Sequence, residues 1–279
     1  MISVVVIIYN MKREVERTFY SLSKLYQKEA KNGYEIIVVD NGSDERLSDD
    51  FILSFGDNFK YYYLENASAS PASAVNFGAS KVTGDIIGIV IDGARIISDA
   101  VIRKTENVFE KWNNPIVAVL GYHLGPDLQS KSIQNGYCQN VEDKILEEID
   151  WKNNPNKLFE VSVLAGSNPE GMDGSIAESN CMFIKKSTFE KIGGMDARFN
   201  SPGGGLVNLD FFKRLLELND VQLVLLRDEG SFHQIHGGIM SNVSGEEKSI
   251  ENFIKYLEEY KKITGKDYEV PIINNRVII

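Results

Sequence analysis

Cysteine is nearly absent from this chain of 279 residues, with only Cys138 and Cys181 present. They lie far apart and form no CxxC pair, which excludes a disulfide framework and a cysteine-built zinc site. Cys181, inside the apolar stretch Cys181-Met182-Phe183-Ile184, is expected to be a buried core thiol. Long hydrophobic runs are missing as well. The longest, residues 4–8 and 86–91, stop far short of the ~20 residues that a membrane span needs, so no transmembrane helix is expected. The opening residues Met1-Ile2-Ser3-Val4-Val5-Val6-Ile7-Ile8 lack the basic stretch and small-residue cleavage site of a secretion signal, and a cytoplasmic location is the expectation. Positive charge is also in deficit, with 30 Lys and Arg against 40 Asp and Glu for a formal net charge of −10. Without a basic stripe to offset that charge, nucleic acid is excluded as a partner. Hydrophobic residues at 43% leave enough apolar side chain for a real core, which excludes wholesale disorder.

A simple alternation fills the first ~110 residues. Residues 4–8 form a continuous β-branched run of the kind found in strands covered on both faces. A charged helical stretch follows over residues 12–31. Glu35-Ile36-Ile37-Val38-Val39 repeats the strand signal and ends in the turn Asp40-Asn41-Gly42-Ser43. Residues 59–64 predict a third strand, Pro71 opens a helix running through Ala74, Phe77 and Ala79, and residues 86–91 predict a fourth strand ending at Asp92. This is an α/β pattern: a Rossmann-like, mostly parallel sheet with helices on both faces. Such sheets bind ligands at the carboxyl ends of their strands, where Asp40 and Asp92 both fall.

The second half is less regular. Candidate strands cover residues 116–122, 158–164, 181–185 and 221–226, joined by polar segments such as 129–156. Gly166-Ser167-Asn168-Pro169-Glu170-Gly171-Met172-Asp173-Gly174 has the composition of a binding loop or mobile lid. From Glu246 to Thr264, the residues Ile250, Phe253, Ile254, Leu257 and Tyr260 recur at helical spacing and predict one packing face, with Gly265 ending the helix. The expected organisation is one domain over residues 1–245 and a helical extension over 246–279 packed on it.

Ser3-Val4-Val5-Val6-Ile7-Ile8-Tyr9-Asn10, then Glu35 to Ser43, resembles the opening of glycosyltransferase family 2, whose catalytic domain has the GT-A fold. The order of the later segments strengthens the resemblance: Asn76-Phe77-Gly78, Gly84-Asp85-Ile86-Ile87 with the strand to Asp92, Ile192-Gly193-Gly194-Met195-Asp196, and Asp210-Phe211-Phe212-Lys213-Arg214. It spans about residues 2–220. The resemblance implies a transferase that moves a sugar from a nucleotide-sugar donor, UDP-linked, to a hydroxyl on a glycan, a lipid-linked saccharide or a small metabolite, and it allows peripheral membrane association. A nucleotide-sugar-binding protein of the same fold is the alternative. A nucleotide-dependent oxidoreductase fits poorly, because Tyr9-Asn10-Met11-Lys12 stands where a GxGxxG would follow the first strand.

The resemblance also assigns residues. Asp40 would accept from the imide N–H of uracil, although an Asx turn capping the strand is an alternative role. Tyr9, Asn10, Gly42 and Asn76 would surround the nucleotide. The diphosphate calls for a divalent cation, Mn²⁺ or Mg²⁺, held by an Asp-x-Asp motif, but here the stretch reads Asp92-Gly93-Ala94-Arg95. The first aspartate is kept and the second is alanine, while Arg95 offers a guanidinium to phosphate or a salt bridge at the strand rim. Late histidines occur in Phe232-His233-Gln234-Ile235-His236-Gly237-Gly238. Positions three apart on an extended strand face opposite ways, so one of them is expected at the metal. His236, beside the glycine pair, is favoured over His233. The family's base is a carboxylate of a Glu-Asp pair upstream of a helix, and Val207-Asn208 stands in its place. Asp173, Glu170 or Asp210 is then left as the base, unless the reaction is retaining and the leaving phosphate receives the proton. For Asp210 the competing role is a carboxylate at a helix N-terminus.

Overall fold

The computed structural model describes residues 1–237, 246–273 and 275–279, and Gly238 and the expected boundary at residue 245 lie outside these. The first half runs β1 (Ile2–Ile8), α1 (Lys12–Leu22), β2 (Tyr34–Asp40), α2 (Asp49–Leu53), β3 (Phe59–Tyr63), α3 (Ala72–Lys81) and β4 (Ile86–Val90). The middle continues with β5 (Arg95–Ile97), α4 (Val101–Lys111), β6 (Pro115–Leu124), α5 (Gln129–Gln134), α6 (Gln139–Glu148), α7 (Lys157–Glu160) and β7 (Ser162–Leu164). The remainder is β8 (Cys181–Lys185), α8 (Lys186–Lys191), α9 (Val207–Leu216), β9 (Gln222–His233), α10 (Glu246–Thr264) and β10 (Arg276–Ile278).

These strands make one sheet in the order β10-β9-β6-β8-β4-β1-β2-β3, with β5 paired to β9 and β7 to β6. β1 lies parallel between β2 and β4, and β3, β6, β9 and β10 also join by parallel pairings. β8 runs antiparallel to both of its neighbours, β4 and β6. Strand alternation divides the core between the two faces. Val5, Ile7, Ile37 and Val39 pack with α3, α9 and the end of α10. Val4, Val6, Ile8 and Val38 pack with α1, α2 and α4. Both faces of β1 and β2 are therefore covered, which is why their sequences are apolar at nearly every position instead of alternating.

Several elements differ from the sequence expectation. The first helix stops at Leu22, because Ser23 turns the chain to an extended conformation and its hydroxyl donates to the Tyr20 carbonyl. The polar stretch 129–156 carries two helices, α5 and α6, and residues 158–164 divide into the short α7 and β7. β9 continues well past residue 226, to His233. The segment expected as a lid is pinned: buried Asn168 pairs through both amide atoms with the backbone of Gly121 at 3.1 Å, and Arg276 donates to the carbonyls of Met172 and Gly174. In α10 the packing residues are Tyr256, Leu257, Tyr260 and Ile263, whereas Ile250, Phe253 and Ile254 are exposed. The C-terminal half of the helix docks, and the large tyrosines set its rotation.

Candidate functional site

The site forms where β1, β2 and β4 end. Ile8 pairs with Asp40 and Val6 with Val90, so Asp40 and Asp92 stand at one height, two strand spacings or about 10 Å apart. A cleft of about 250 Å³ opens on the β2 side, lined by residues that include Asn10, Lys12, Asp40, Ser43 and Leu47. Asn10 has a positive φ of 51°, and its side chain exchanges hydrogen bonds with Asp44. Gly42, at φ +85°, turns the chain where a Cβ would press on Ala67. Tyr9, between the lining residues Ile8 and Asn10, is half exposed.

Asp40 itself is fully buried. Its Oδ1 accepts from the Ser43 amide and its Oδ2 from the Tyr61 hydroxyl, both at 2.8 Å. The Asx turn is thus formed, and each oxygen, with one bond accepted, keeps capacity for another. The contact from Tyr61, on the neighbouring strand β3, was not evident from residue spacing.

On the β4 side, Asp92, His233 and His236 converge, with one donor atom from each lying within 4.8 Å of the others. His233 Nε2 is 2.8 Å and His236 Nε2 3.7 Å from Asp92 Oδ2, and the two imidazole nitrogens are 3.0 Å apart. Both histidines therefore reach the same point, against the expectation that only one would. The strand ends at His233, and the chain is then turned by Gln234 N donating to the Ala94 carbonyl and Ile235 N to Glu142, so strand alternation no longer applies to His236.

The supporting residues fix these groups. Thr18 of α1 donates to the Gly93 carbonyl at 2.6 Å and accepts from the Arg95 amide. A Cβ at Gly93 would sit 2.5 Å from Ile8 Cγ2, so the turn after Asp92 requires glycine. Gln129, fully buried in α5, accepts from His233 Nδ1 at 2.7 Å and donates to its carbonyl at 2.9 Å. This pairing places the ring proton on Nδ1 and leaves the Nε2 lone pair facing Asp92.

Electrostatics agree with that arrangement. Burial pushes His233 down to about 4 despite the neighbouring carboxylate, so it is neutral. Burial opposes charge on Asp92, but the imidazoles of His233 and then His236 prevail and hold it well below the usual carboxylate range; burial likewise opposes charge on His236, which the Asp92 carboxylate raises. The third histidine, His123, is pushed to about 3 by burial and packs its ring 5.6 Å from that of His233.

A divalent cation fits this donor set. Two lone-pair atoms, His233 Nε2 and Asp92 Oδ2, face each other at 2.8 Å. With bonds of about 2.1 Å, adjacent ligands of an octahedral ion lie roughly 3 Å apart. In such a set the histidine pair would stand in for a carboxylate at position 94, where Ala94 is buried.

The other candidates lie elsewhere or are already engaged. Asn76 exchanges both amide hydrogen bonds with the Met195 backbone, tying α3 to the Gly193-Gly194 turn. Asp210 is buried on Arg214 at 2.7 Å, and Arg214 in turn holds the Ile192 and Gly194 carbonyls. Asp173 and Glu170 are exposed on the pinned loop. Arg95 is buried beside Asp92 at 3.7 Å, and its Nε and Nη1 find no hydrogen-bond partner among the described residues. Burial lowers its pKa, while the charges of Asp92 and Glu178 oppose that shift.

The family model for "Glycosyl transferase family 2" matches residues 3–163. The chain belongs to this family. No curated protein sequence matches it at a significant level. Among solved structures, S. aureus TarS 1-349 in complex with UDP-GlcNAc is similar at 13% identity and a TM-score of 0.57, over 93% of this chain and 66% of that one. GalNAc-T7 with UDP, GalNAc and Mn²⁺ is similar at 13% identity and a TM-score of 0.57, over 92% of this chain and 48% of that one. The mannosyltransferase PcManGT from Pyrobaculum calidifontis, with GDP-Man and Mn²⁺, matches at 12% identity and a TM-score of 0.50, over 97% and 65%. The chain thus spans between half and two thirds of these proteins, and the shared feature is the GT-A fold.

Proposed function

We propose that this glycosyltransferase takes a UDP-sugar as donor and passes the sugar to a hydroxyl acceptor on a glycan or lipid-linked saccharide. The observation that carries the reading is the convergence of Asp92, His233 and His236 about 10 Å from the Asp40 cleft, the span between a nucleoside base and its diphosphate. The base would lie against Asn10, Asp40 and Gly42, with Tyr9 alongside. Asp92, His233 and His236 would hold a divalent cation, which when bound offsets the charge of the diphosphate leaving group. Two imidazole donors suit Mn²⁺ better than Mg²⁺, which prefers an all-oxygen shell. The complexes of GalNAc-T7 and PcManGT with Mn²⁺ support the choice by analogy.

Isothermal titration with UDP-GlcNAc and other UDP-sugars, with and without Mn²⁺, together with an assay of donor hydrolysis, tests the proposal. Binding should require Mn²⁺ and be lost in Asp92→Ala. The neutral pair Val207-Asn208 favours a second reading, a nucleotide-sugar-binding protein, which tight binding without turnover would establish.

A further inference from the structure

The family's usual base position holds Val207 and Asn208, neither of which accepts a proton at neutral pH. Both hydrogens of the Asn208 amide are nevertheless committed. Its Nδ2 donates to Glu178 Oε2 at 2.5 Å and to the Ser179 carbonyl at 3.3 Å. Asn180 Nδ2 approaches the other oxygen, Oε1, at 3.4 Å.

Glu178 lies at the same edge of the sheet as Asp92. Val90 pairs with Cys181 across the antiparallel β4–β8 ladder. Asp92 comes two residues after Val90 and Glu178 three residues before Cys181, so both carboxylates stand just beyond the same end of adjacent strands, whose spacing is about 5 Å. Both act on the buried guanidinium of Arg95, and Glu178 also acts on Tyr268, whose buried hydroxyl has no partner among the described residues. Glu178 is only partly buried, and each of its oxygens accepts a single hydrogen bond, from Asn208 and from Asn180. The other candidate acids do not share this position: Asp210 is paired to Arg214, and Glu170 and Asp173 are exposed on the pinned loop.

We propose that Glu178 is the catalytic base of the transfer, with Asn208 as its positioning residue, an inference that rests on the transferase reading above. The acceptor oxygen forms a bond to the anomeric carbon as the bond from that carbon to the phosphate oxygen breaks. The electron pair leaves with the nucleoside diphosphate, and the acceptor proton passes to the Glu178 carboxylate. A single displacement of this kind inverts the anomeric centre. The chain has then moved the acid from the α9 position to the loop before β8 and kept an amide at the old position to orient it.

The test compares wild type with Glu178→Gln, Glu178→Ala and Asn208→Ala, using hydrolysis of UDP-GlcNAc, UDP-glucose, UDP-galactose and GDP-mannose in Mn²⁺, with water as acceptor. Glu178→Gln should lower kcat about 100-fold or more and leave the donor Kd within about threefold, which also shows that the variant is folded. Asn208→Ala should lower kcat by a smaller factor and move the acid limb of the pH–rate profile, which Glu178→Gln should abolish. Azide, a nucleophile that needs no deprotonation, should restore sugar transfer to Glu178→Ala and yield a glycosyl azide of inverted configuration. A Glu178→Gln variant retaining more than a third of wild-type kcat, or a product of retained configuration, would overturn the assignment of the base. Wild-type binding of a donor with no turnover would overturn it too, since a competent base also activates water. A wild type that binds none of the donors would instead overturn the transferase reading.

Discussion

Gln129 and Gly93 show how much of the site is carried by residues with no chemistry of their own. Gln129 fixes the tautomer of His233 through a pair of hydrogen bonds to one residue, so its replacement acts through orientation. Gln129→Ala is expected to weaken Mn²⁺ binding about 10- to 100-fold, measured by titration calorimetry, with the fold and the Asp40 cleft intact. Gly93 is a matter of space. Gly93→Ala drives a Cβ against Ile8 Cγ2 and the Ile7 carbonyl, both parts of a buried strand that cannot give way. Loss of Mn²⁺ binding together with a lower melting temperature is the expected result, whereas a variant with wild-type affinity would show that the turn tolerates displacement.

Among the elements, the ends of strands decide function and the sequence locates them unevenly. Asp40 and Asp92 were legible because each closes an uninterrupted apolar run, and parallel strands place such closures on one edge. Glu178 was not, because it precedes β8, and only the knowledge that β8 runs antiparallel between β4 and β6 brings the start of that strand to the same edge. The helix α10 offers a similar case. Its apolar residues cover more than one face, and the pattern put Tyr260 on the packing side but did not show that Tyr256 is buried while Ile250, Phe253 and Ile254 are exposed. Tyr260 meets Phe199 at a tilt and Tyr268 edge-on, so Tyr260→Ala should cost about 3 kcal/mol in urea unfolding, against less than about 0.5 kcal/mol for Ile250→Ala.

For the protein in its entirety, the acidic balance of −10 would oppose the diphosphate of the proposed donor, and a cation held by Asp92, His233 and His236 would resolve that conflict locally. The first strands are also joined by a charge. Glu35 of β2 accepts from Ser3 of β1, from Thr83 and from Lys60 of β3. Burial opposes its ionisation, but these bonds prevail and hold it at about 2, below its ordinary 4.5. Because the folded value is depressed, the stabilisation is complete above about pH 4.5 and is lost as pH falls toward 2. The difference in urea midpoint between wild type and Glu35→Gln should therefore be largest at pH 6–7 and shrink on acidification through pH 3, and a difference independent of pH would contradict this account.

Local pattern in the chain was enough to read the α/β architecture and to set Asp40 and Asp92 at the carboxyl ends of parallel strands, and the order of its motifs was enough to read the family. Each of these is written in neighbouring residues: a β-branched run, its length, and the polar residue that ends it. Folding in three dimensions added that both histidines converge, that Gln129 orients one of them, that Asn76 and Asp210 brace the scaffold, and that Glu178 stands beside Asn208. Those facts depend on strand direction, on where β9 stops, and on contacts between residues far apart in the chain, such as Asp92 with His236 and Asn76 with Met195. Side-chain spacing along the chain carries no record of such contacts, because they are set by which surfaces the folded core brings together.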